Sequence, residues 1–357
     1  MDREDQRFRV LGRAAGSNDA GRFERHARVA EDDGWAREEM LPVLRTSTSI
    51  EVPRRVITYN RSPDLPFDRS INPYRGCEHG CVYCFARPSH AYLGLSPGLD
   101  FETRLIARPE APEVLKRELA AKKYQVAPIA IGTNTDPYQP IEARYRITRQ
   151  VLEVCLDARH PVTITTKSDR VLADLDLLAE LAERRLVAVA ISVPSLDPKL
   201  SGKLEPRAAA PAKRLQALGR LAAAGVPTHC SVSPIIPAIT DYEIEAIMAA
   251  AADAGAIRAS YILMRLPFEV APLFRAWLAA HYPDRADKVM HMVQEIRGGR
   301  DNDPDFFTRM RGHGVWAQLI RTRVKRAARE HGMDRSFPAI RSDLFRPPER
   351  DGQMELF

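Results

Sequence analysis

What most limits the folds open to this chain is a rhythm. From residue 128 to residue 282, short apolar, β-branched runs alternate with segments of helical spacing, about one pair every 30 residues. "PIAIG" (128–132) precedes "ITRQVLEVCLDAR" (147–159), and "PVTITT" (161–166) precedes "VLADLDLLAELAERR" (171–185). "LVAVAISV" (186–193) leads to "AKRLQALGRLAAAG" (212–225), "VPTHCSVS" (226–233) to "DYEIEAIMAAAADAG" (241–255), and "ASYILMRL" (259–266) to "VAPLFRAWLAAHY" (270–282). A strand that is apolar along its whole length is buried on both faces, and a helix between two such strands makes a βαβ unit in a parallel sheet. A further short strand just before Cys77 brings the count to six. Six units in one series predict an α/β fold of the partial (β/α)6, TIM-like barrel kind. Functional groups of such folds gather at the carboxyl ends of the strands. Each run here ends in polar residues or a cation: "TNTDPYQP", "TKSD", "SVPS", "SPIIP" and Arg265. Local signals mark helix ends as well. Thr240 with Glu243 spells a capping box, and Gly225 and Gly255 stand where C′ glycines belong.

Around this core the pattern changes. Residues 1–60 are polar and weakly periodic and read as an N-terminal arm, partly disordered, with "GRAAGSNDAGRF" as loop. The core runs over 61–283. Residues 284–345 form a basic extension expected to be helical across "DPDFFTRMRGHGVWAQLIRTRVKRAAREHGM", and 346–357 a Pro-broken, flexible tail. With 357 residues, 45% of them hydrophobic, the chain can bury a large core. A net charge of +6 permits a polyanionic partner without demanding one. The charged start MDREDQRFRV lacks the apolar stretch of a secretion signal, and no apolar run is long enough for a membrane span. Five cysteines in such a chain indicate reduced thiols and a cytoplasmic setting.

Three of those five fall within eight positions, in "SINPYRGCEHGCVYCFARPSH" (70–90). Cys77, Cys81 and Cys84 have the spacing C-x3-C-x2-C. Clustered thiolates suit zinc or an iron–sulfur cluster. A structural zinc site needs a fourth protein ligand, and here that would be His79, Cys155 or Cys230. Cys155 lies on a helical apolar face and Cys230 in a strand, where each reads as a small buried hydrophobe. A [4Fe–4S] cluster held by three cysteines leaves one iron open to an external ligand. Gly76 and Gly80 permit the tight wrap such a loop needs. Tyr83 and Phe85 are placed to screen it from water.

"GCEHGCVYC" after a first short strand resembles the signature of the radical S-adenosylmethionine (SAM) superfamily, C-x3-C-x-aromatic-C, with Tyr83 as the aromatic residue. The longer stretches "NPYRGCEHGCVYCFARPSHAYLGLSPGLDFET", "GTNTDPYQPIE", "TKS" and "LEPRAAAP" resemble the branch that contains spore photoproduct lyase and its bacterial relatives. The resemblance covers roughly residues 68–282. It implies a partial (β/α)6 barrel with a [4Fe–4S] cluster on Cys77, Cys81 and Cys84. It also implies that SAM chelates the open iron and is reductively cleaved to a 5′-deoxyadenosyl radical, which takes a hydrogen atom from the substrate. Tyr83 would lie beside the adenine. Thr135 and Asp136 would meet the SAM amino group in place of the superfamily's more common Gly-Gly-Glu. Lys167 would pair with the SAM carboxylate, and Ser192 would also contact SAM. Glu205 and Arg207 are placed to pair with each other, and "SPIIP" to line the adenine site. A flavodoxin- or ferredoxin-type electron donor is implied.

Two features bear on substrate. Arg309, Arg311, Arg321, Arg323, Lys325, Arg326 and Arg329 are interleaved with Phe306, Phe307 and Trp316, a mixture that can track phosphates and stack bases or can simply be a solvated helix face. The terminal Gln353-Met354-Glu355-Leu356-Phe357 resembles the pentapeptide by which bacterial repair and replication proteins dock on the DNA sliding clamp. The leading expectation is radical SAM chemistry on nucleic acid, in the manner of a DNA-repair lyase. The alternatives are the same chemistry on RNA, protein or a small molecule, and a non-catalytic zinc-binding nucleic-acid module.

Overall fold

The structure is a computed structural model and describes residue 10 and residues 12–24, 44–334 and 336–349. Ten strands are formed among them: β1 (Ser47–Ile50), β2 (Thr58–Tyr59), β3 (Arg69–Ile71), β4 (Tyr74–Arg75), β5 (Arg104–Ala107), β6 (Ile129–Ile131), β7 (Val162–Thr166), β8 (Val187–Ser192), β9 (Thr228–Ile235) and β10 (Arg258–Leu263). The large sheet has the order β10-β9-β8-β7-β6-β3-β2. Its six strands from β3 to β10 are parallel and β2 adds an antiparallel edge. This is the series of six expected from the rhythm, with each helix packed against the strands it joins. Leu152, Leu178, Leu218 and Met248 from four crossover helices are buried against strand residues such as Ile131, Ile164, Val189 and Val232.

Helix ends follow the glycine signals and depart from the capping-box signal. After the helix Pro211–Ala223, Gly225 takes φ +77° and the Val226 and Gly225 amides close on Leu221 and Ala222. Gly255 does the same after Ile244–Asp253. The Thr240–Glu243 box is not formed. The Thr240 hydroxyl accepts from the Ile236 amide, and Glu243 is buried, accepting from the Ser195 hydroxyl and the Leu196 amide at 2.7 Å each. A long-range demand for a buried carboxylate outweighs the local cap.

The flanks also differ from expectation. The described parts of the N-terminal arm are built into the fold. β1 pairs with β5 in a small sheet of order β1-β5-β4, and residues 13–19 lie across segment 96–102 through Leu99 N to Ser17 O and Asn18 to Asp100. At the other end, "DPDFFTRMRGHG" is not helical. Helices span Ala286–Glu295 and Gly314–Glu330, and turns stabilised by Arg297 fill the gap. Pro304 and the left-handed Gly299 and Gly312 break the helix there. Ile320, Val324 and Ala327 bury the second helix against the core. No helix of the described residues is long and apolar enough to cross a membrane.

Behind the sheet, His160 is buried with its Nδ1 donating to Pro161 O (2.9 Å), its Nε2 2.7 Å from the Tyr124 hydroxyl and its ring edge-on to Phe345. Burial lowers its pKa to about 4. A histidine depressed in the folded state contributes stability that is full above its unfolded value and lost as pH falls toward the folded one, here about 3 kcal/mol. Between pH 7 and 4.5 the urea midpoint of the wild type is expected to fall more steeply than that of His160→Asn. Parallel curves would refute this assignment.

Candidate metal centre and cofactor cleft

The cysteine loop begins where β4 ends, at the carboxyl side of the parallel strands. Gly76 and Gly80 have φ of +74° and +67°, and a Cβ on Gly80 would lie 2.6 Å from Glu102 Oε2. Glycine is therefore required at both by conformation and by space. The loop is wound around one buried cation. Arg87 Nε donates to Cys81 O, its Nη1 to Pro97 O and Gly98 O, and its Nη2 to Gly80 O and Glu102, so all five donors are used. Glu102 in turn accepts from the Ala14 and Ala15 amides. From the opposite side Gln139 bonds both Glu78 N (2.9 Å) and Gly76 O (3.1 Å).

Cys77, Cys81 and Cys84 are free thiols. Cys77 and Cys84 pack together against Ala86 and Phe101, and Cys84 also touches the cluster that holds Cys81. Burial pushes all three thiols up, with Asp136 adding to Cys77 and Glu205 to Cys81. Thiols so held are not nucleophiles at neutral pH. The backbone amides of His79 and Asp136 bond the Cys77 sulfur, and those of Ala86 and Arg87 the Cys84 sulfur. Such N–H···S bonds favour the thiolate once a metal has displaced the proton. No three His, Cys, Asp or Glu side chains among the described residues form a single-ion site. His79 faces Asp136 instead, and Cys155 and Cys230 are buried in the core. None of these three candidate fourth ligands stands with the thiols to close a tetrahedral zinc site among the described residues.

The strand ends supply the other half. Asp136, after β6, accepts from Tyr138 N (2.9 Å), Thr166 Oγ1 (2.6 Å) and Lys167 N (2.7 Å), with His79 Nδ1 at 3.3 Å. Burial alone would raise its pKa, but His79 and these bonds bring it down to about 2. Its oxygens are thus occupied by protein donors. The Thr135 hydroxyl is likewise used, donating to Tyr74 O at 3.0 Å. Lys167 and Ser192 differ. Lys167 Nζ lies 3.8 Å from Glu205 and 6.0 Å above the Tyr83 ring, and Ser192 gives its carbonyl to Arg214 while its hydroxyl has no hydrogen-bond partner among the described residues.

Sequence reasoning missed the hub of this cleft. The expected pair of Glu205 with Arg207 is not made. Arg207 reaches Glu78 at 2.7 Å, while Glu205 is buried against Arg214 and receives the Tyr83 hydroxyl. Burial raises the Glu205 pKa, yet Arg214 and Lys167 overcome it and hold the carboxyl below its usual range. Spacing favoured Arg207, two residues away, but a carboxylate sealed from water needs a guanidinium equally sealed, and the helix Pro211–Ala223 carries one at Arg214. Phe85 also departs from expectation. Tyr83 is buried, whereas Phe85 is 52% exposed, with Arg265 Cζ 5.9 Å from its ring centre. Pro234 and Ile235 of "SPIIP" belong to the end of β9 and are buried.

The sequence profile of the radical SAM superfamily matches residues 71–251, just over half of the chain, and takes in the loop and four of the six parallel strands, β6 to β9. The chain belongs to the radical SAM superfamily. An uncharacterized protein of Mycobacterium tuberculosis is 36% identical to this radical SAM protein over 232 residues, 64% of this chain and 68% of that one. An uncharacterized protein of Methanocaldococcus jannaschii is 30% identical over 173 residues, 48% of this chain and 62% of that one. Among solved structures, spore photoproduct lyase complexed with dinucleoside spore photoproduct superposes with a TM-score of 0.57 at 15% identity, covering 80% of this chain and 79% of that chain. A double mutant of that enzyme with bound AdoMet and dinucleoside spore photoproduct gives 0.57 over 80% and 78%. At that identity the likeness is one of fold. Membership of the superfamily implies an enzyme that uses SAM and an iron–sulfur cluster.

The loop's dependence on Arg87 is measurable. Arg87→Met strands a buried carboxylate and four carbonyls, and is expected to cost about 3–5 kcal/mol in urea unfolding. Arg207→Met, at the rim, is expected to cost under about 1 kcal/mol. Equal costs would refute the buried-template reading.

Proposed function

We propose that the chain is a radical SAM enzyme with a [4Fe–4S] cluster on Cys77, Cys81 and Cys84, acting on nucleic acid with lyase-like chemistry. The observation that carries the cofactor part is the wrapped loop, which presents three clustered free thiols, those of Cys77 and Cys84 bonded by backbone amides, at the carboxyl end of a parallel strand series. When bound, the cluster and SAM supply one-electron chemistry: reductive cleavage of SAM, yielding an adenosyl radical able to abstract hydrogen.

The chain's own residues bind and orient. Lys167 would pair with the SAM carboxylate, Ser192 would also contact SAM, and Tyr83, pinned by Glu205, would offer its backbone to the adenine. Asp136 and Thr135 act as positioning groups. Asp136 fixes the Lys167 amide and the His79 ring, and Thr135 ties the β6 loop to β4. Glu205 balances Lys167 and Arg214, so the cleft is not left with unpaired buried cations. The buried loop and strand ends keep water from the reacting atoms.

Support for a nucleic-acid substrate is the shared fold of spore photoproduct lyase and the basic C-terminal helix, where Lys325 and Arg329 remain exposed beside ion-paired Arg323 and Arg326. The Gln353–Phe357 tail lies outside the described residues. In our reading it recruits the sliding clamp, and titration of a 347–357 peptide against the clamp should give saturable binding. A flat titration would remove that partner.

Anaerobically purified protein is expected to be brown, with about four iron and four sulfide per chain. Reduction with dithionite should release 5′-deoxyadenosine from SAM, and Cys81→Ala should abolish both properties. Colourless protein with one zinc per chain would overturn the proposal. Screening ultraviolet-damaged DNA, RNA, peptides and small molecules for faster SAM cleavage tests the substrate class.

A further inference from the structure

The cysteine loop and the β6–β8 ends are not the only features at the carboxyl side of the sheet; the end of β10 carries others. Two exposed phenylalanines there, Phe268 and Phe307, have left-handed backbones, with φ of +51° and +67°. They are 68% and 61% exposed. Bulky residues rarely adopt this conformation, and rings this exposed recover little of the strain through packing, Phe268 having the Arg22 guanidinium on one face. Glycine would fit both positions better. Strain retained to hold an apolar ring in solvent indicates a surface kept for a ligand.

Both rings stand on rigid supports near β10. Phe268 lies three residues beyond Arg265, and Arg22 from the N-terminal strap sits 3.8 Å above one face of its ring. Arg22 is held in turn by Glu269, at 3.7 Å. The turn that carries Phe307 is pinned by Met310 O accepting from Leu263 N, and by Asp64 accepting from Phe307 N and Arg309. Arg265 bonds Met310 Sδ of the Phe307 turn and lies over exposed Phe85 of the cysteine loop. Its Nε is buried without a hydrogen-bond partner among the described residues.

We propose that Phe268 and Phe307 form a base-stacking platform for an unpaired stretch of nucleic acid at the mouth of the cleft, with Arg265 facing its phosphates. Flat exposed rings with guanidinium groups beside them match the flat faces and charged backbone of a splayed strand. The proposal rests on the nucleic-acid reading above and adds where and in what form the strand is held.

The test uses the full-length, anaerobically purified chain and fluorescence anisotropy with a fluorescein-labelled, mixed-sequence 15-nucleotide DNA, single-stranded and as a duplex. The wild type should prefer the single strand. Phe268→Gly and Phe307→Gly should each weaken single-strand binding about tenfold while leaving the salt dependence of Kd unchanged, since no phosphate contact is lost. Their Tm should not fall, because glycine relieves the strain. Binding equal to wild type in both variants would overturn the platform and leave the substrate class standing. A lower Tm in both would mark the rings as packing elements and also overturn it. Failure of the wild type to bind either probe would remove the nucleic-acid reading itself, and the platform with it.

Discussion

Arg87 makes five hydrogen bonds in a place without water, and the functional end of the molecule is organised around them. A guanidinium spreads its donors in a fixed plane, so it can hold several carbonyls that would otherwise point in unrelated directions. Here it gathers the Gly80 and Cys81 carbonyls from the middle of the cysteine loop and those of the 97–98 turn, and Glu102 balances its charge. The loop geometry is therefore set before any cofactor arrives. Glu102 also reaches the Ala14 and Ala15 amides, so the same ion pair fastens the N-terminal strap over the loop.

A second buried pair, Glu205 with Arg214, does for the strand ends what Arg87 does for the loop. It receives Tyr83 from the loop and faces Lys167 from β7, so one carboxylate ties the cysteine segment to the sheet. Asp136 joins β6 to β7 through Thr166 and the Lys167 amide. Three sealed carboxylates thus fix the relative positions of the loop and the β6–β8 ends. Each is costly to bury alone, and each is matched by donors from a different segment.

Much of this was legible in the chain. The strand–helix rhythm is local chemistry, because β-branched apolar runs and 3.6-residue spacing act within a few residues of themselves. The cysteine spacing and its glycines are equally local, and Gly76, Gly80, Gly225 and Gly255 take the conformations their positions suggested. Harder to read were contacts between segments far apart. Glu205 chose Arg214 over Arg207, and Glu243 left its expected cap for the 195–196 turn. In the sheet of β1, β5 and β4, β1 pairs with a segment more than fifty residues away, and the short strands carry little pattern of their own.

By itself, then, the sequence determined the parallel α/β architecture and the three-thiol loop, because periodicity and glycine stereochemistry are written in neighbouring residues. Only the tertiary structure decided which carboxylate meets which guanidinium and that Phe85 faces solvent while Tyr83 does not. It also decided that Phe268 and Phe307 hold left-handed backbones while their rings stay exposed. Burial is a property of the assembled chain: a charge or a ring acquires its partner, or its exposure, only when distant segments close around it.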